Sequence, residues 1–319
     1  MDPETPKRRR LSMKIAKTLL LAAGFLALLT TAPSPATAAQ EIIVVPGHPG
    51  SNPFGPEIET TASLWIQNAS AEGHQTTLLP PTPDTPSPEP PSQLERLRSA
   101  LLAAPAQSPD PLWIVLLGHG TAQGRSPKFN LTGPDLTAEE LARLLSRFQR
   151  PLIVVAGFSA SGAFLKPLSA PNRIVVCATK SGSEENWTRF PRLFTSALAN
   201  LDADSDGDGQ VSLHEAWKHA SQAVESFYTT QKRLPTEHSV LADNAQPPPG
   251  AGTPDFTAQR WVLRPSPEET ALTPEQRSRR EQLEAQLAVL RKTKAAADPA
   301  DYSRDLEKLL LELARLYSP

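Results

Sequence analysis

With 319 residues, the chain is long enough for one large domain and a small appendage around a substantial buried core. Its 32 Lys and Arg against 34 Asp and Glu give a formal net charge of -2; the first 39 residues hold six of the basic and two of the acidic side chains, so the remainder stands at 26 against 32, or -6. A mildly acidic body lacks the basic footprint that phosphate backbones require, which excludes nucleic acid as the main partner, and a lone cysteine, Cys177, excludes an internal disulfide.

At the amino terminus, Lys7, Arg8, Arg9, Arg10, Lys14 and Lys17 precede an apolar run from Leu19 to Leu29, and Ala36, Thr37 and Ala38 follow in a small-x-small pattern. This order predicts a signal peptide over 1–39 and a secreted or periplasmic protein. The alternative is an uncleaved anchor, although the run is short for a bilayer span. Met13 is a second candidate start, since the signal is complete without the residues before it. No later stretch is apolar and long enough to span, so no membrane crossing is expected after signal removal.

"EIIVVPGHPG" then reads as an apolar strand ending in a glycine-rich turn, Ser63 to Ala71 as a helix, and "TTLLP" as a second strand. Residues 80–92 hold no core-forming side chains and read as a surface loop of polyproline-like conformation. A helix from Gln93 to Leu102 leads to "LWIVLLGHG", an apolar run without alternation, as expected of a parallel strand covered on both faces. In "LTAEELARLLSRF", Thr137 with Glu140 three residues on predicts a capping-box start to an amphipathic helix. The strands "PLIVVAGFSASG" and "NRIVVCAT" follow. Strands alternating with helices predict an α/β sandwich of three layers around a mainly parallel sheet, with function gathered at the carboxyl ends of the strands. Those ends are Gly118-His119-Gly120, Ser159-Ala160-Ser161-Gly162 and Thr179-Lys180-Ser181-Gly182. Cys177, inside an apolar strand, is expected to be a buried inert thiol.

"LLGHGT", "GFSASGAF" and "ATKSGSEEN" resemble the corresponding strand ends of legumain-like peptidases within the caspase clan, and "KFNLTGPDLTAEEL" and "TEHSVLADN" resemble a bacterial subgroup of it. The resemblance covers roughly residues 41–245 and implies a caspase-like fold and a Cys–His dyad, in which an imidazole assists a thiol and backbone amides hold the oxyanion. Carried over, it makes His119 the general base, Gly120 an oxyanion amide, and places Ser159 where the nucleophilic cysteine belongs. A serine hydroxyl needs stronger base assistance than a thiol, and no acid near His119 in sequence is an obvious third member. Ser161 is expected to be a turn residue capping the next helix. His48 and His238 are read as structural, His238 being the better functional outsider.

"DSDGDGQVSLHE", from Asp204 to Glu215, fits an EF-hand calcium loop. Asp204, Asp206 and Asp208 take the first, third and fifth places, Gly209 the sharp turn, Gln210 the carbonyl, Ser212 the ninth place and Glu215 the bidentate twelfth. Flanking helices are expected over 192–201 and 214–228. A lone loop of this kind suits a structural Ca2+ staple. His214-Glu215 with His219 imitates a zinc-peptidase helix, but histidines five apart point about 140° away from each other.

A second Pro/Gly-rich stretch spans 245–258, and from Leu272 the composition changes to Glu, Leu, Arg, Ala and Lys. Leu283, Leu287 and Leu290 repeat on one face, and Leu306, Leu309, Leu310, Leu313 and Leu316 on another, across an "ADPAD" break. An antiparallel helical hairpin over 266–319 is predicted, after a main domain over 40–265. Three functions stand side by side. One is an exported, calcium-stabilised peptidase-like hydrolase using Ser159 and His119. The second is a catalytically inactive caspase-like module that binds a peptide or protein partner. The third is an envelope scaffold making protein contacts through the carboxyl-terminal helices.

Overall fold

Four apolar runs without alternation become the centre of one sheet, because helices cover both of its faces. The structure, a computed structural model, describes residues 39–50, 54–82, 89–108, 110–122, 126–244, 258–259, 261–294 and 297–317, all within one compact unit, Thr37–Pro319. The expected signal peptide, but for its last residue, lies outside the described residues, as do the centre of the 80–92 loop and nearly all of the 245–258 stretch. In chain order the elements are β1 (Glu41–Pro46), α1 (Phe54–Ala71), β2 (Gln75–Leu78), α2 (Gln93–Ala103), β3 (Leu112–Gly118), β4 (Gly120–Thr121), β5 (Lys128–Phe129), β6 (Leu136–Thr137) and α3 (Ala138–Leu145). Then follow β7 (Leu152–Phe158), α4 (Leu165–Leu168), β8 (Arg173–Cys177), α5 (Phe190–Ala197), α6 (Leu213–Thr230), β9 (Val240–Asp243), α7 (Pro267–Ala271), α8 (Pro274–Thr293) and α9 (Pro299–Leu316).

The strand order is β2-β1-β3-β7-β8-β9; every pairing is parallel except that of β8 with β9. Side chains alternate across the sheet with period two. Ile42, Val44, Trp113, Val115, Ile153 and Val176 meet α1, α5 and α6 on one face. Ile43, Val45, Ile114, Leu116, Val154 and Cys177 meet α2 and α3 on the other. This is the α/β/α sandwich with a mainly parallel sheet that the sequence predicts. Its winding runs from β1 outward to β2, then crosses back over β1 to β3. The reversal opens a crevice beyond the carboxyl ends of β1 and β3, where open α/β sheets take ligands.

Two elements carried no prediction, and one detail differs from expectation. "TEHSVLADN" supplies the antiparallel edge strand β9, and "KFNLTGPDLT" supplies β5 and β6, which with β4 form a small antiparallel sheet. Thr137 Oγ1 does accept the Glu140 amide, but Glu140 turns its carboxylate to Arg98 rather than back to the cap, so only half of the box forms. Complete capping boxes stand instead at Ser92/Glu95, Ser212/Glu215 and Thr273/Gln276.

The carboxyl-terminal helices α8 and α9 pair with each other. Leu283 and Leu287 of α8 are buried, whereas Leu310 and Leu311 of α9 remain 45% and 50% exposed. Glu269 in α7 receives Arg280 from α8 at 2.9 Å and the Tyr317 hydroxyl beyond α9 at 3.1 Å, tying three helices to one carboxylate. Among the described residues, no helix is long and apolar enough to cross a membrane.

Candidate functional site

The ends of β1, β3 and β7 converge on one cleft of about 350 Å³ whose lining includes His48, Phe54, His119, Asn130, Ser159 and Glu185. His119 and Ser159, singled out by the sequence as partners, share it. Parallel register brings them there: Gly118 at the end of β3 pairs with Phe158 at the end of β7, so the next residue of each strand leaves the sheet at the same level. Gly120 must lack a side chain, since a Cβ there would meet Phe158 Cδ2 and Ser159 O, both at 2.5 Å.

Ser159 is 1% exposed and opens a tight turn. Ala160 follows at φ 60, ψ 13, a left-handed conformation that costs a non-glycine residue about 1–3 kcal/mol and persists only where its surroundings fix it. Here the Ala160 amide donates to Glu184 O at 2.7 Å. The Thr179 amide donates to Ser161 Oγ at 3.1 Å, and the Gly162 amide to Thr179 Oγ1 at 2.9 Å. Ser161 therefore braces the end of β8 and caps no helix, contrary to the sequence expectation.

The Ser159 hydroxyl is committed on both sides to one residue. Gly120 N–H donates to Ser159 Oγ at 3.2 Å, and the hydroxyl donates to Gly120 O at 3.3 Å. Among the described residues no hydrogen bond joins Ser159 to His119. The amide that the resemblance assigns to an oxyanion is thus filled by the side chain standing in the nucleophile's place.

His119 lies in an aromatic corner, with Phe54 edge-on at 5.1 Å and Trp187 tilted at 5.2 Å between ring centroids. Phe54 and Trp187 stack on each other at 4.6 Å. Burial, and to a lesser extent the neighbouring His48, hold the His119 imidazole below its ordinary value. Both effects favour its neutral form over the imidazolium.

His48, read from sequence as structural, belongs to this cleft: the rule that chemistry sits at strand ends applies to β1 as well as to β3 and β7. Phe54 and Trp187 lie outside the quoted motifs, whereas Asn130 and Glu185 lie inside "KFNLTGPDLTAEEL" and "ATKSGSEEN" without being singled out there; the fold brings all four to the site. Glu185 is the acid of the cleft. Its neighbour Glu184 is turned elsewhere, accepting from the Lys180 and His238 amides at 3.0 and 3.1 Å and pairing with His238 Nδ1. His238 accordingly lines a separate groove with Ser221, Glu225 and Glu237.

The loop from Asp204 to Glu215 brings three of its six expected ligands together. Asp204, Asp206 and Asp208 each direct a carboxylate oxygen to within 4.8 Å of the others. Burial, then like charge from neighbouring carboxylates, pushes Asp206 and Asp208 above the usual carboxylate range. Three converging hard oxygens whose charges repel suit a divalent cation such as Ca2+. Glu215, in contrast, caps: Oε1 accepts from the Ser205 amide and hydroxyl, both at 2.8 Å, and Oε2 from the Ser212 amide at 3.0 Å and hydroxyl at 2.8 Å. Those bonds outweigh burial and hold its carboxyl below the usual range. Ser212 is the N-cap of α6, and the Gln210 side chain accepts the Ser266 amide at 3.2 Å. No other group of three His, Cys, Asp or Glu side chains among the described residues converges in this way, His214 and His219 included.

No family profile matches the chain, and no curated protein matches it. Among solved structures, the Drosophila initiator caspase Dronc is similar at 12% identity and a TM-score of 0.40, covering 64% of this chain and 78% of its own. A Geobacter sulfurreducens protein solved as a structural-genomics target is similar at 12% identity and a TM-score of 0.42, covering 70% of this chain and 98% of its own.

Proposed function

We propose that this is an exported protein of the caspase/legumain-like type whose cleft at His119 and Ser159 binds a peptide segment without cleaving it, and whose fold is stapled by Ca2+ at residues 204–215. The observation that carries the silent reading is the double hydrogen bond of Ser159 to Gly120. A nucleophile needs its proton directed at a base and an empty amide beside it for the oxyanion. Here the proton is directed at Gly120 O and the amide is filled. The strand-end motifs and the signal-like amino terminus support the family and the export. Asp204, Asp206 and Asp208 would hold the metal, which supplies the positive charge their crowded carboxylates lack.

One observation favours the second reading, a serine hydrolase with His119 as base: burial keeps that imidazole neutral, the state a general base requires. A fluorophosphonate probe separates the two. The silent module stays unlabelled while retaining peptides from a degenerate array; labelling at Ser159 would establish the hydrolase instead.

A further inference from the structure

Because Ser159 Oγ fills the Gly120 amide, a peptide carbonyl entering this cleft needs other donors. The end of β1 offers one. The Gly50 amide donates to His48 Nδ1 at 3.0 Å, which makes that nitrogen the acceptor and leaves the proton of the neutral ring on Nε2. Gly50, at φ +66, makes the turn that closes this bond, and an added Cβ there would stand 3.5 Å from His119 Nε2, so the turn lies against the histidine of the site.

Asn130 offers the second. The His48 amide donates to Asn130 O at 2.9 Å, and the Asn130 amide donates to His119 O at 3.0 Å. One residue of the β5–β6 turn thereby ties the carboxyl ends of β1 and β3 together. Its side-chain Oδ1 receives the Thr121 hydroxyl at 3.5 Å, which leaves the Nδ2 amide as donor. Both side chains line the same cleft as Ser159, beside the crevice where the winding of the sheet reverses.

Resting on the peptide-binding reading above, we propose that His48 Nε2–H and Asn130 Nδ2–H hold a main-chain carbonyl oxygen of an extended peptide in this cleft, in place of the Gly120 amide. A carbonyl oxygen has two lone pairs, and the cleft offers these two side-chain N–H groups to it. The site has moved one strand across the sheet, from the β3/β7 junction to the β1/β3 junction. It then recognises the peptide backbone and needs no nucleophile.

The test uses the purified full chain and an array of acetylated, amidated hexapeptides with degenerate side chains. His48→Phe keeps the ring volume and removes the donor; Asn130→Asp keeps the shape and replaces the donor by an acceptor. Each should weaken binding about fivefold to tenfold, the worth of one net hydrogen bond. In wild type, nitrogen NMR should show His48 Nε2 and Asn130 Nδ2 shifting on peptide addition while the Gly120 amide stays put. Peptide binding with unchanged affinity in both variants, or a shift at Gly120 alone, overturns this assignment and leaves the peptide-binding reading standing. A wild type that retains no peptide removes both.

Discussion

The Ser159 hydroxyl and the Gly120 backbone hold each other through two hydrogen bonds, 3.2 Å to the amide and 3.3 Å from the hydroxyl to the carbonyl. This link closes the gap between the ends of β3 and β7 with a side chain where the sheet ladder has run out. Removing it leaves a buried amide and carbonyl without partners. Ser159→Ala should therefore destabilise the fold by about 1–3 kcal/mol, the usual cost of orphaned buried polar groups. Urea unfolding measures this directly, and a change within about 0.5 kcal/mol, the range of neutral surface substitutions, would show that the pair contributes nothing.

His119 makes stability depend on pH in a defined direction. Its folded value lies below the ordinary 6.5 because burial, followed by His48, disfavours the imidazolium. The unfolded chain thus binds the proton more readily. The contribution of this group is fully present above pH 6.5 and is lost as pH falls through the folded value. His119→Gln removes it. Between pH 7.5 and 5.5 the wild type should lose more stability than the variant, other titrating groups being common to both. NMR titration of the imidazole should give a midpoint below 6.5; a midpoint above it would reverse the sign and refute the assignment.

The sheet was legible because its strands are apolar on both faces, so Leu112 to Gly118 and Leu152 to Phe158 needed no alternation to be recognised. The positions of His119 and Ser159 followed from the same rule, since each is the first residue past such a run. The pairing of the Ser159 hydroxyl was not legible. Whether it turns toward an imidazole or a backbone carbonyl depends on a turn braced by Thr179 and Glu184, which lie far along the chain. Glu215 shows the same limit: its place in the loop fits a metal ligand, and its place three residues past Ser212 fits a capping box. One spacing serves both roles, and in the folded chain the carboxylate holds the Ser212 cap.

Calcium should stabilise the native state through Asp204, Asp206 and Asp208. The Asp206 and Asp208 carboxyls are pushed up by burial and by their neighbours' charge, so neutralising that charge favours the fold. A ligand that binds only the native state adds about 2.7 kcal/mol at a hundredfold excess over Kd. Chelation should lower the Tm of the wild type and leave Asp204→Ala almost unchanged. Equal chelator sensitivity in the two proteins would remove the loop as the site.

The family resemblance implies a thiol at position 159. Ser159→Cys puts a larger sulfur with a weak S–H donor where the hydroxyl bridged Gly120. It cannot replace both bonds, so the Gly120 amide is released toward the cleft. The neutral imidazole of His119 lines the same cleft and can take the thiol proton. The native thiol does not confuse the experiment: Cys177 is fully buried, and burial pushes it up to about 12, so it stays protonated and shielded. Iodoacetamide should leave the wild type unlabelled and label Ser159→Cys once, at a rate that falls when His119 is also replaced by Ala. Hydrolysis of a degenerate peptide library should appear in the cysteine variant alone, the outcome expected where the residue at 159 is what silences the proposed site. A labelling rate indifferent to His119 would separate the two residues and leave Ser159 as a structural tie.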